Sequence, residues 1–170
     1  MSSKFKKVRN SNIIIREIEQ KDNAQIEAAI RWCFHEYEIP LVGTAYEDAE
    51  TPRMFESYQN KNEVYYVVEL DGKVFGGAGI QPLKDFETEV CEIQKMYFAP
   101  EVRGKGIGKP LFEKCMEAAK AFGYKQCYLE TIPNLKAAIH IYETFGFKHL
   151  EAPLGNTGHN ACGIWMLKNL

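Results

Sequence analysis

Residues 96–110 read MYFAPEVRGKGIGKP, with three alternating glycines between an apolar run and a helical pattern. Glycine loses more backbone entropy on folding than any other residue, so this spacing indicates a main chain that something must approach closely. A strand, a glycine turn and a helix leave the first backbone N–H groups of the helix free. Those donors and the positive end of the helix dipole suit a phosphate or a pyrophosphate. The alternative is a surface turn with solvated cations.

Two common phosphate-binding patterns do not fit this stretch. A Walker A loop requires GxxxxGK[ST], but with Gly108 and Lys109 in the GK positions Arg103 replaces the first glycine and Pro110 replaces the Ser/Thr. The dinucleotide pattern GxGxxG fails because its third glycine falls on Lys109 or Leu111. An enzyme that acts on nucleotide phosphates is therefore a weak hypothesis.

The pattern that remains, R-x-x-G-x-G over residues 103–108, resembles the pyrophosphate loop of the GNAT-type N-acetyltransferases, [Q/R]-x-x-G-x-[G/A]. A second stretch, AIHIYETFGF at 138–147, is similar to that family's A-x-x-L-Y-E-x-x-G-F helix end. The two motifs occur in the family's order, each on the expected element, which is more specific than either motif alone. The resemblance covers the chain from Ile13 in element order and residues 92–150 at the residue level.

The composition narrows the possible classes of protein. The length of 170 residues predicts a single domain, which the resemblance implies is an acyltransferase domain, with 1–11 as a flexible or extended N-terminal segment. A net charge of -2 argues against a general nucleic-acid binder. The basic start lacks the apolar region of a signal peptide, and no stretch is long enough to span a membrane, so a cytoplasmic protein is expected.

Cysteine and histidine spacing gives no sign of a metal site. The five cysteines are widely spread without a CxxC pair, and the four histidines lack ligand spacing. We therefore expect reduced thiols and no metal. The sequence leaves a monomer and a homodimer equally open.

The apolar periodicity predicts alternating strands and helices. The order predicts a mixed α/β (α+β) sheet, and the resemblance implies seven mostly antiparallel strands with about four helices. Asp71-Gly72 marks a hairpin turn. The predicted strands are Asn12–Ile18, Val64–Leu70, Lys73–Gln81, Glu89–Phe98, Tyr124–Thr131, Phe147–Leu150 and Gly163–Leu167, and the predicted helices cover 23–37, a short piece after Thr51-Pro52, the segment from the glycines to Gly123, and the segment from Leu135 to Gly146.

The resemblance implies acetyl-CoA as the cosubstrate and a place for it. The strands that end at Phe98 and near Tyr128 would splay apart, and the pantetheine arm would pair with the main chain of Met96 and Phe98. In this sequence the implied cofactor-binding residues are Met96, Tyr97, Phe98, Arg103, Gly104, Lys105, Gly106, Ile107, Gly108 and Lys109.

Two residues are candidates for the chemistry. An alkylamine with a pKa near ~10.4 is about one part in a thousand neutral at pH 7, so a base helps. Glu92 occupies the strand position where several family members carry that base; alternatively it is an exposed residue or a partner of Lys95. Tyr142 matches the family's proton donor to the departing sulfur, although it also falls on an apolar helical stripe. Because a phenol is a weaker acid than a thiol, a hydrogen bond to the sulfur describes its role better than full protonation.

The sequence gives weaker indications of the residues that bind the acceptor amine. His159, in a polar loop, Tyr37, at the end of the first helix, and Glu130, at the end of a strand, are candidate acceptor-binding residues. His159 and Glu130 are also further candidates for the base. The alternative for the loop is a polar surface segment without a role in binding. Family members commonly carry Asn seven residues before the tyrosine; this chain has Leu135 there, and the alternative role of Asn134 is to cap the helix.

These observations predict an N-acetyltransferase that moves the acetyl group of acetyl-CoA to a primary amine by direct attack in a ternary complex. The alternative is a non-catalytic module that binds or senses acyl-CoA. The acceptor, either a small molecule or a peptide amine, is not determined by the sequence.

Overall fold

A computed structural model describes residues 12–170, and the predicted N-terminal segment 1–11 lies outside them. The strands and helices follow one another in the predicted order. Its elements are β1 (Ile13–Glu17), α1 (Asn23–Glu36), α2 (Met54–Ser57), β2 (Val64–Leu70), β3 (Lys73–Pro82), β4 (Val90–Phe98), α3 (Gly108–Ala121), β5 (Gln126–Thr131), α4 (Lys136–Thr144), β6 (Lys148–His149) and β7 (Ile164–Asn169).

The strands form one seven-stranded sheet in the order β1-β2-β3-β4-β5-β7-β6. Every neighbouring pair is antiparallel except β4 and β5, which run parallel. The predicted mixed, mostly antiparallel sheet with four helices is confirmed. In the described part of the chain, no helix combines the length and the apolar character that crossing a membrane requires.

The β2–β3 hairpin shows how local sequence sets the sheet. Asp71 and Gly72 connect the strands, and both have positive φ, at 50° and 85°. This is the conformation that a two-residue type I′ turn requires, and Asp-Gly is among the dipeptides that adopt it most readily. The hairpin predicted at this dipeptide is confirmed.

Helices cover both faces of the sheet. Side chains of β2 alternate between two apolar clusters: Val64, Tyr66 and Val68 join the cluster under α3, while Tyr65 and Val67 join the cluster under α1. A strand that is buried on both faces reads as a continuous apolar run, which explains the sequence VYYVVEL.

β4 and β5 separate soon after they meet. Their parallel register consists of three pairs, from Val90 with Gln126 to Glu92 with Tyr128. Beyond Glu92, β4 continues to Phe98 beside β3 alone, so the strands splay as predicted and leave an opening in the middle of the sheet.

A β-bulge bends β4 at this opening. The register with β3 passes from Gly79–Gln94 to Gly77–Tyr97, which inserts one extra residue into β4. Lys95 lies in the bulge with φ +50°, a conformation that costs a residue other than glycine on the order of 1–3 kcal/mol. The hydroxyl of Tyr65 donates a 2.8 Å hydrogen bond to the Lys95 carbonyl and so stabilises the bulge.

Glycines on β3 make room for Tyr65. A Cβ on Gly77 would collide with the Tyr66 carbonyl oxygen and lie 2.6 Å from Cε1 of Tyr65, and one on Gly79 would lie 2.5 Å from Cδ2 of the same ring. These glycines are therefore needed for packing, and through Tyr65 they support the bulge.

We expect Gly77→Ala to lower the free energy of unfolding by about 1–3 kcal/mol, because overpacking forces backbone and ring apart. Urea unfolding measures the change. Gly163→Ala is the control, since a Cβ there meets no atom within 4 Å, and its effect should stay within about 0.5 kcal/mol. Equal midpoints for the two variants would contradict the packing argument.

Candidate active site

A groove of about 600 Å³ runs from the glycine loop to the opening between β4 and β5. Its walls come from the end of β4, the loop before α3, the end of α1 and the first turns of α4. Nine of the ten predicted cofactor-binding residues line it: Met96, Tyr97, Phe98, Arg103, Gly104, Gly106, Ile107, Gly108 and Lys109.

The glycine loop forms one end of the groove. Gly104 and Gly106 have φ of +67° and +71°, which glycine adopts without strain, and a Cβ on either would meet no protein atom within 4 Å. At α3, the side chain of the N-cap residue Ile107 makes no capping bond to the first N–H groups of the helix. The loop thus presents its main chain to open space.

The three basic residues of the loop have different surroundings. Lys105 is exposed and lies outside the groove lining, while Lys109, whose side chain is 72% exposed, lies 3.8 Å from Glu113. Arg103 turns towards α1: its Nη2 lies 2.6 Å from the carboxylate of Glu36, and its guanidinium stacks 4.9 Å from the centroid of Tyr37. Arg103 therefore ties the loop to α1 rather than extending freely towards the groove.

Arg103 also affects the predicted pairing of pantetheine with β4. Its Nε donates a 2.7 Å hydrogen bond to the Phe98 carbonyl, which also accepts a 3.3 Å bond from Cys33 Sγ. This carbonyl is already satisfied within the protein. Lys95 and Met96, in contrast, have no register partner on β3.

A second, smaller pocket of about 50 Å³ continues from the groove into the protein. Met96, Tyr97 and Leu135 line both spaces, so the pocket and the groove meet at the splay. Four further predicted residues line the pocket: Glu92, Glu130, Tyr142 and His159. Tyr37, the remaining predicted acceptor residue, lines the groove instead.

Glu92 is buried, with 2% of its surface exposed. Burial raises its pKa to about 7, partly opposed by a 2.6 Å hydrogen bond from Gln94 Nε2. The alternatives for Glu92 are wrong: it is not exposed, and the ammonium of Lys95 pairs with Asp48 and Glu50 instead.

Lys95 belongs to a buried network that joins β4 to two loops. Its Nζ lies 3.0 Å from the Asp48 carboxylate and 3.1 Å from that of Glu50. Asp48 also accepts a 3.0 Å bond from His159 Nε2. Burial alone would lower the pKa of His159, but the hydrogen bond and the charge of Asp48 outweigh it and raise the pKa above its usual value.

Glu130 is fixed by two hydroxyl donors. Tyr128 and Thr157 each donate a 2.7 Å hydrogen bond to its carboxylate, one to each oxygen. Its side chain is 4% exposed, and Nδ1 of His159 lies 3.8 Å from Oε2. The polar loop predicted near the acceptor therefore folds onto the end of β5.

Tyr142 lies on the opposite wall of the pocket, where α4 packs on the sheet. Its ring packs against Phe112 and Phe147, and its hydroxyl lies 3.7 Å from Met96 Sδ. Burial raises the pKa of the phenol, so Tyr142 remains a neutral hydrogen-bond donor. Both proposed features of Tyr142 coexist: the ring belongs to the core, and the hydroxyl lies at the pocket.

Cys162 also lines the pocket. Burial and the neighbouring carboxylates raise the pKa of its thiol to about 12, so the free thiol does not ionise near neutral pH. This disfavours a covalent acetyl-cysteine intermediate, because the thiolate is the nucleophilic form.

Several residues of the site were missed from the sequence. Asp48 and Glu50 stand in an acidic loop whose approach to β4 has no local signal, and Lys95 enters the site only because of the bulge. Asn134, proposed as a helix cap, instead donates a 3.1 Å bond to the Tyr37 carbonyl, and Leu135 is the N-cap residue.

Comparisons with known proteins agree with this architecture. The chain matches the acetyltransferase (GNAT) family over residues 25–147. It is 42% identical to the uncharacterized N-acetyltransferase YjgM of Escherichia coli over 158 residues, which is 92% of this chain and 95% of YjgM. The chain belongs to the GNAT acetyltransferase family.

Solved structures share the fold at low sequence identity. A GNAT-family acetyltransferase from Staphylococcus aureus Mu50 superposes with a TM-score of 0.82 at 18% identity, covering 93% of this chain and 99% of that one. The protein yncA from Salmonella typhimurium, solved with its cofactor acetyl-CoA, gives a TM-score of 0.70 at 20% identity, covering 93% and 94%.

Proposed function

We propose that the protein transfers the acetyl group of acetyl-CoA to a primary amine by direct attack in a ternary complex. The observation that carries the proposal is the continuity of the two spaces. The groove begins at the exposed amides of the glycine loop and meets the buried pocket of Glu92 and Tyr142 at the β4–β5 splay.

The groove would hold acetyl-CoA in one direction. Its diphosphate would lie at the amides of residues 104–109, with Lys105 and Lys109 able to reach it from solvent. The pantetheine arm would follow the groove along β4 and pair with the main chain near Met96, which has no partner on β3. The thioester would then reach the junction of groove and pocket.

The charges of the pocket favour a cationic acceptor. Two carboxylates, Glu92 and Glu130, line the pocket with two basic groups, Lys95 and His159. Behind them, Asp48 pairs with both basic groups and Glu50 pairs with Lys95. The ammonium of Lys95 is already paired with two of these carboxylates. An alkylammonium would therefore be attracted to the pocket, with His159 and Glu130 as its polar contacts.

Glu92 would serve as the base. Its raised pKa lets it accept a proton from the ammonium at neutral pH more readily than an ordinary carboxylate does. The neutral nitrogen would attack the thioester carbonyl, a C–N bond forms, the C–S bond breaks, and the electron pair leaves on sulfur. The proton that the nitrogen loses as it becomes an amide passes to the departing thiolate, which leaves as the free thiol of CoA. The hydroxyl of Tyr142 would stabilise that developing thiolate.

The first test concerns the glycine loop. Gly106→Ala places a side chain at φ +71° and should weaken acetyl-CoA binding at least tenfold in calorimetry, because the loop must change shape. Gly123→Ala is the matched control: it has φ +91°, equally open surroundings and a position at the opposite end of α3. It should lose similar stability and bind acetyl-CoA as the wild type does. If both variants bind acetyl-CoA with equal affinity, the glycine loop is not part of the acetyl-CoA site.

The second test concerns Glu92. Its carboxylate must be ionised to accept a proton, so activity should fall as the pH decreases through about 7. Glu92→Gln should lower kcat by about 10²–10⁴-fold and lose this inflection while keeping the slope that the amine's own ionisation causes. Steady-state assays of thiol release with one amine measure both profiles. Glu89→Gln, an exposed glutamate before the same strand, should behave as the wild type. If the inflection persists in Glu92→Gln, a group other than Glu92 is the base.

The third test concerns Tyr142. Tyr142→Phe should bind acetyl-CoA normally and lower kcat by about 10²–10⁴-fold, since only the donor to sulfur is lost. Tyr124→Phe, which removes a hydroxyl bonded to the Asn62 carbonyl, is the control and should keep its kcat. If Tyr142→Phe turns over at the wild-type rate, the role given to Tyr142 is wrong.

If the wild type binds acetyl-CoA but releases no thiol with any amine of a broad panel, the non-catalytic alternative is favoured.

A further inference from the structure

Three potential metal ligands that are distant in the sequence meet at the pocket wall. A carboxylate oxygen of Glu130, a ring nitrogen of His159 and Sγ of Cys162 all lie within 4.8 Å of one another. A tetrahedral zinc ion, with bonds of about 2.0–2.3 Å, spaces its ligands by about 3.3–3.6 Å. Small side-chain movements would therefore bring the three ligand atoms to the spacing that zinc requires.

The orientation of His159 suits a ligand. Its Nε2 is bonded to the Asp48 carboxylate at 3.0 Å, which directs Nδ1 towards Glu130 Oε2 at 3.8 Å. Histidines that bind metals almost always donate their other ring N–H to a carboxylate, carbonyl or water. Asp48 supplies that outer partner before any ion is bound.

Glu130 is similarly oriented. The hydroxyls of Tyr128 and Thr157 hold its two oxygens at 2.7 Å each, and its side chain is 4% exposed. The three ligand types, carboxylate, imidazole and thiol, together match zinc better than they match magnesium or calcium, which prefer oxygen alone.

From this geometry we propose that Glu130, His159 and Cys162 form a zinc site whose fourth position opens into the small pocket. Zinc binds Nδ1 of His159 in its unprotonated form, and it displaces the proton of the Cys162 thiol on binding, as metals do to coordinating thiols. The absence of metal predicted from spacing along the chain did not take account of this juxtaposition.

Zinc bound at this site would inhibit the acetyl transfer proposed above. The inference of inhibition rests on that proposed function. The ion occupies the two residues assigned to the acceptor amine, so zinc and the amine exclude one another. The groove is lined by other residues, so acetyl-CoA affinity should be the same with and without zinc. Inhibition by zinc should be competitive with the amine.

Binding is tested on the metal-free protein without acetyl-CoA, with Co²⁺ as a spectroscopic probe. We expect one equivalent of Co²⁺ with tetrahedral visible bands and a thiolate-to-cobalt charge-transfer band in the near ultraviolet. Cys162→Ser should lose the charge-transfer band, and Cys115→Ala, at a buried cysteine of α3, should keep it. Circular dichroism of each variant verifies the fold. Because no transfer is measured, this result stands whether or not the protein acetylates amines.

A second variant tests Asp48 as a positioning residue. Asp48→Asn should keep the charge-transfer band but weaken zinc binding by about 10–100-fold in competition with a chelating dye. Asp71→Asn, in the β2–β3 hairpin, is the matched control and should leave zinc affinity unchanged. The proposal is overturned if folded wild-type protein gives no charge-transfer band, or if that band persists in Cys162→Ser. In either case the His159–Glu130 contact is only an ion pair.

Discussion

The site depends on the separation of β4 from β5. Two parallel strands that stayed paired to their ends would satisfy each other's main chain and close the sheet, but here the register stops after Glu92 and Tyr128. The opening is stabilised from the other side of β4. There Tyr65 supports the carbonyl of the bulge residue Lys95, and glycines on β3 make room for the Tyr65 ring. Core packing thus sets the geometry of the cavity.

The same bulge brings a charge into the interior. The side chain of Lys95 is 1% exposed. Burying its ammonium there without a partner would cost several kcal/mol of folding free energy. Asp48 and Glu50 compensate it, and Asp48 in turn holds His159. One backbone distortion therefore organises loops from two distant parts of the chain around the pocket. The carboxylates that remain give the pocket its acidic character.

Arg103 has an unexpected role in this arrangement. The family resemblance placed it among the residues that would bind the cofactor, and in the structure its side chain contacts Glu36, the Tyr37 ring and the Phe98 carbonyl. An arginine presents several donors in a rigid plane, so one side chain can join a loop, a helix and a strand end. The glycine loop is thereby fixed relative to the groove, and its main chain remains the part that faces the ligand space.

Local sequence determined the elements and the two motifs. The Asp71-Gly72 turn, the alternation of β2 and the glycines at 104–108 each express a conformational preference that a few neighbouring residues encode. Those preferences were enough to predict the sheet and its helices, and, with the family resemblance, the splay of β4 from β5. Nine of the ten residues predicted for the cofactor also line the groove. Only the tertiary structure decided which polar groups meet. The partnership of Lys95 with Asp48, the burial that raises the pKa of Glu92 and the meeting of Glu130, His159 and Cys162 all join residues that are far apart in the chain. Such contacts depend on where whole strands and loops come to lie, and no local pattern records that.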